Sequence, residues 1–128
     1  MENRINNSID RAGGISALAL AACYIIITGL YVSGAVLPGS VEGWLEHLAG
    51  HTNEWWGILY LSVITDLLFL PVAWALYHSL KRINRNAIIA GVSFLVLFVV
   101  LDLAVTWPNY AALINLSGKY VAAVDDVQ

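Results

Sequence analysis

Charge is scarce in this chain. Only 12% of its 128 residues are Asp, Glu, Lys or Arg, where a soluble domain carries about a quarter. Lysine and arginine together number six against nine acids, and a net charge of −3 excludes the clustered cations that binding nucleic-acid phosphates requires. Cys23 is the single cysteine, so neither an intrachain disulfide nor a cysteine-based zinc motif can form. The chain also lacks a glycine-rich phosphate loop, a G-x-S-x-G elbow and an H-E-x-x-H pair. Nothing in it marks a catalytic constellation, no cofactor is expected, and an enzyme is the less favoured reading.

What is present is apolar sequence in long runs. Hydrophobic residues make up 59% of the chain, and the few charges fall between three stretches. A helix rising ~1.5 Å per residue needs roughly 20 apolar residues to cross a hydrocarbon core ~30 Å thick. The runs at 14–37, 55–80 and 87–107 meet that length. The first is closed by Pro38-Gly39 and the third by Trp107-Pro108, since proline disfavours helix in the residue before it and tryptophan favours the headgroup zone. The first run has a rival reading as a leader peptide, with Ser33-Gly34-Ala35 as a small-residue cleavage site. It is longer than the usual leader core of ~7–15 residues, and a span is the better reading. Val41 to Leu48 reads as a short amphipathic helix in the loop after it. Residues 109–128 read as an interfacial segment, because Ser117-Gly118 interrupts the helical pattern and Lys119 and Asp125-Asp126 oppose a fourth span. The expected fold is therefore an all-α transmembrane helical bundle forming a single membrane domain.

Basic residues tend to remain cytoplasmic. Arg4 and Arg11 precede the first run, Lys81, Arg82 and Arg85 fill the turn between the second and third, and the loop from Pro38 to Glu54 has no Lys or Arg. A multi-pass protein of the cell membrane is implied, its N terminus cytoplasmic and its first loop and C-terminal segment outside.

Two carboxylates lie where hydrocarbon makes them expensive. Asp66 is near the midpoint of the second run and Asp102 five residues before Trp107. No Lys or Arg occurs inside any run to pair with them. Ser62 and Asp66 share a helical face, as do Asp102 and Thr106, while Tyr24, Thr28 and Tyr31 line a face of the first run. Thr28, Tyr31, Asp66 and Asp102 all fall at mid-depth or toward the first loop, where they can meet inside a bundle. Pro71 is expected to kink the second helix nearby. Two roles fit: aspartates that hydrogen-bond hydroxyls or carbonyls and hold helices together, or a proton or cation site beside a broken helix. A third candidate is a divalent metal at His47, His51 and Glu54, spaced i, i+4, i+7, although Gly50 weakens the helix they need. His78, beside Tyr77, reads as interfacial. Gly13, Ala17 and Ala21, and again Gly29 and Ser33, follow small-xxx-small spacing, which lets helix backbones approach closely.

The stretch Leu61-Ser62-Val63-Ile64-Thr65-Asp66-Leu67, then Ala73-Trp74-Ala75-Leu76-Tyr77 and Leu80-Lys81-Arg82-Ile83-Asn84-Arg85, resembles the second-span-and-turn pattern of an uncharacterised family of bacterial multi-pass membrane proteins, domain of unknown function 4386. Arg11-Ala12-Gly13-Gly14 resembles its entry into the first helix. Ser117-Gly118-Lys119-Tyr120 with Val121-Ala122-Ala123 looks like the loop after its third. The resemblance implies a helical membrane protein with no assigned activity. It also implies further spans beyond these, of which this chain holds the N-terminal half, and a basic residue near Ser93-Phe94 that is not found here. The expected partners are the lipid bilayer and other membrane subunits or copies of the chain. The leading expectation is a non-enzymatic accessory or self-associating subunit, and the alternative a small proton- or cation-coupled transport component using Asp66 and Asp102.

Overall fold

The computed structural model describes residues 2–33 and 39–125, and these are helical almost throughout. Helix α1 covers Glu2–Ser33, α2 Val41–Gly50, α3 Thr52–Leu80, α4 Arg85–Leu101 and α5 Trp107–Asp125, with a π-helical turn, Asp102–Thr106, joining the last two. Three segments are long and apolar enough to cross a membrane: Ser8–Val32, Thr52–Leu80 and Arg85–Val124. The expected end of the first run at Leu37-Pro38 lies outside the described residues, as do Gly34-Ala35 and Asp126.

The chain's punctuation explains the short elements. Ser40 caps α2, its hydroxyl accepting from the Gly43 amide at 3.1 Å, which satisfies one of the free donors of a first helical turn. Asn84 does the same for α4 through the Ala87 amide at 3.1 Å. His51 alone separates α2 from α3, and Thr52 turns its hydroxyl back onto the Ala49 carbonyl at 2.8 Å.

Two helices extend beyond their apolar runs. α1 begins at Glu2, twelve residues before the predicted span, because hydrogen bonding propagates through its polar start independently of the apolar boundary. More consequentially, Pro108 does not end the third helix. One helical run continues from Arg85 to Asp125, so the tail expected to lie as a separate interfacial segment is instead α5, packed on α2 and α3. Proline is excluded from helices by its missing N–H and its clash with the carbonyl four residues back. Directly before Pro108 the helix widens into the π turn, the Trp107 amide reaching to the Asp102 carbonyl, five residues back. Ser117-Gly118 does not break the helix either. Ser117 is fully buried, its hydroxyl donating to the Ile114 carbonyl at 2.7 Å. α3 likewise stays helical through Pro71.

α3 is the axis of the fold. α1 packs chiefly along it, α4 leans on its second half, and α5 with α2 closes over its first half. The contact with α1 is a single seam. Among the buried and half-buried positions of α1, Gly13, Ser16, Leu20, Cys23, Ile27 and Leu30 form one row, alternating by three and four as a helix-pair seam requires. At one end a Cβ on Gly13 would stand 2.2 Å from that of Ala75 and 3.4 Å from the Pro71 carbonyl oxygen. Only glycine permits that approach. Asp10 reinforces it by accepting from the Ser79 hydroxyl at 3.1 Å. Ala17 and Ala21, expected in the same row as Gly13, are exposed, and Gly29 faces open space. The seam's heptad spacing, not the four-residue small-residue spacing, decides what α3 covers. At the opposite end Ile27, Leu48, Trp55, Ile58, Leu59 and Ile114 form one buried cluster drawn from α1, α2, α3 and α5.

Gly13→Leu is expected to push α1 off α3 and to cost about 1–3 kcal/mol, the usual penalty of overpacking, whereas Gly29→Ala is expected to be near neutral. Thermal unfolding in mild detergent, followed by circular dichroism, checks the pair.

Candidate functional site

Asp66 sits at the midpoint of α3 and is only 2% exposed. An ionisable group held there needs donors from other helices, because its own helix has used its amides. The donor is Trp107, whose indole Nε1–H is hydrogen-bonded to Asp66 Oδ2. Helical side chains slant toward the N terminus of their helix, so the indole reaches back from the start of α5 to the level of the π turn. This corrects the reading of Trp107 as a headgroup anchor. Its ring is about level with the middle of α3.

The π turn makes that contact possible. The half-buried and buried positions of α4 run Ile88, Val92, Leu95, Val99, and those of α5 begin Trp107, Ala111, Ile114, Ser117. In an uninterrupted α-helix the eight residues from Val99 to Trp107 would leave the indole roughly 80° off the α4 stripe. A turn holding one extra residue returns it to the same side. Within that turn Asp102 is half-buried, and its Oδ1 accepts from the Thr106 hydroxyl at 2.8 Å, the i,i+4 pair expected from spacing. Asp102 lies close enough to Asp66 for their charges to interact. Thr65, also buried, donates to the Ser62 carbonyl at 2.7 Å, and Ser62 is 7% exposed. Ser62, Asp66, Asp102 and Thr106 are thus gathered where α3 meets the π turn.

Thr28 and Tyr31 are not gathered there. Thr28 is on the exposed side of α1. Tyr31 packs edge-on against Trp55 with ring centroids 5.5 Å apart, near the first turn of α3, and its side chain reaches Tyr110 of α5. Both belong to the α2 end of the molecule.

The histidines are a separate matter. The His47 and His51 rings lie 4.5 Å apart, and His51 Nδ1 is 3.1 Å from the His47 carbonyl oxygen, a contact that turns the chain from α2 into α3. His47 and Glu54 both line a cavity of about 50 Å³ with Tyr31, Trp44 and Trp55. Among the described residues no three His, Cys, Asp or Glu side chains converge as metal ligands. His78 is half-buried among Trp74, Tyr77 and Lys81.

The residue that spacing missed is Trp107. Its signal was present: an indole is a donor without acceptor capacity, five residues from one intramembrane acid, in a chain with no cation to serve the other. Proline beside it drew the eye to a helix end instead.

A family model described as a domain of unknown function (DUF4386) matches residues 12–128. No curated protein and no solved structure matches the chain.

Trp107→Phe removes the donor while keeping an aromatic ring and is expected to destabilise the bundle by ~0.5–2 kcal/mol, the range of interhelical hydrogen bonds in membranes. Asp66→Asn retains an acceptor oxygen and is expected to cost less. In a double-mutant cycle the two losses are expected to be non-additive, as read by unfolding in detergent.

Proposed function

The chain belongs to the DUF4386 family, and we propose that this integral membrane protein acts as a non-catalytic subunit that assembles with copies of itself. The reading rests on one observation. α1 carries a second stripe beside the seam that α3 covers: Gly14, Ala17, Ala21, Tyr24 and Thr28, again alternating by three and four, all exposed. Lipid tails cover leucine and isoleucine as well as another protein does, but they offer nothing to a tyrosine or threonine hydroxyl. Small residues and hydroxyls in a helical row are what helix association in a bilayer uses. That row of α1 lies outside the seam with α3 and is open to a partner.

A second reading is favoured by the acid pair. Asp66 on α3 and Asp102 in the π turn lie near enough for their charges to interact, and π turns are frequent at functional sites, as intramembrane acids are on proton and cation routes. Here the same residues serve a small ion-coupled transport component.

If the chain self-associates, the purified protein runs as a dimer or larger in mild detergent, and Ala17→Leu with Ala21→Leu shifts it to monomer with helicity unchanged. A wild-type protein monomeric at every protein-to-lipid ratio contradicts this. The transport reading expects proton or cation flux in proteoliposomes that Asp66→Asn abolishes while the oligomer persists.

A further inference from the structure

Between α3 and α4, toward the turn that joins them, lies an open apolar cleft of about 400 Å³ whose walls include Leu70, Ala73 and Tyr77 on one side and Ile89, Val92 and Val96 on the other. The stripes that form these walls continue past it into charge. Lys81 follows Tyr77 by one helical turn on the same face, and Arg85 precedes Ile89 by one turn on the opposing helix. Arg82 stands between them in the sequence. No ion pair engages Lys81, Arg82 or Arg85 among the described residues. Lys81 is held at the mouth of the cleft, its Nζ 5.7 Å from the Tyr77 ring centroid and 3.4 Å from His78 Nδ1. Trp74, Tyr77 and His78 pack together beside it, the kind of amphipathic aromatic group that sits at headgroup level.

We propose that this cleft is a binding site for an anionic phospholipid, whose phosphate lies between Lys81 and Arg85 and whose acyl chain enters between α3 and α4. Each part of the site argues for the whole molecule. A free phosphate leaves the apolar walls bare, and a zwitterionic lipid brings its own ammonium up against the two cations. A second helix, roughly 10–12 Å across with its side chains, is too thick for a cleft of this volume. Basic pockets between spanning helices are where anionic headgroups dock. The site depends on the membrane reading and not on self-association.

Native mass spectrometry of the full chain, released from nanodiscs of equal phosphatidylglycerol and phosphatidylethanolamine with matched acyl chains, tests the site. Phosphatidylglycerol is expected to be retained at least tenfold over phosphatidylethanolamine. Lys81→Gln with Arg85→Gln is expected to reduce that retention at least fivefold. Ser93→Trp, which fills the cleft and leaves the charges in place, is expected to reduce it similarly. Circular dichroism confirms that each variant is folded, and the wild-type lipid preference decides the matter if one is not. Equal retention of the two lipids overturns the proposal, as does wild-type retention in the charge variant. Loss by the charge variant alone, with glycerol phosphate displacing the lipid, also overturns it by leaving only a surface for free anions. Subunit number is read from the same spectra, so failure of the lipid site and failure of self-association are told apart.

Discussion

A carboxyl group in the middle of an apolar helix has no donor within reach on its own backbone and no water to fall back on. Whatever satisfies Asp66 must come from another helix, and the rest of the structure is arranged so that Trp107 does. The indole N–H pins the start of α5 to the centre of α3. That contact requires the helix from Arg85 onward to continue past Pro108 and to take in an extra residue before it. It also fixes which side of α5 faces inward. Ile114 and Ser117 follow from the position of Trp107 by helical repeat, and both are buried. One polar contact therefore sets register, rotation and the local helix type together.

Around that pin the bundle is thin. α3 is the one element touched by every other, α1 is held by a single seam with Gly13 at its closest approach, and α4 leans on α3 over an unfilled cleft. Such a chain leaves much of its apolar surface outward, which a bilayer covers without cost. Polar, small and charged features left outward are not covered so easily. The Gly14–Thr28 row on α1 and the cations below the α3–α4 cleft are two such features. They call for different partners, the first a protein surface and the second an anionic headgroup. Membership of a domain of unknown function family supplies no activity to set against these readings, so the chemistry of the surfaces carries the argument.

Much of the architecture was legible in the residues. Length and apolarity marked all three long helices, the pattern from Val41 to Leu48 marked α2, and spacing joined Asp102 to Thr106. What was hidden depended on tertiary geometry. Proline disfavours helix by local sterics, yet one helix runs on past Pro108 behind a wide turn that no local pattern announces. The role of Trp107 was hidden behind the same proline. On α1 the spacing placed Gly13 in a row with Ala17 and Ala21, but α3 covers Gly13 together with Leu20 and Ile27, with Gly13 pressed against Ala75 and Pro71. The metal candidate fared differently: helical spacing aligned His47, His51 and Glu54, but His51 interrupts the helix that the alignment assumed.

The most direct test of the Asp66–Trp107 contact is hydrogen exchange of the five tryptophan indoles, resolved by 1H–15N NMR in lipid nanodiscs. The account predicts that the Trp107 indole proton exchanges much more slowly than those of the outward-facing tryptophans and becomes fast in Asp66→Leu. A Trp107 indole that exchanges as readily as a headgroup-level tryptophan, and is indifferent to Asp66, would contradict it.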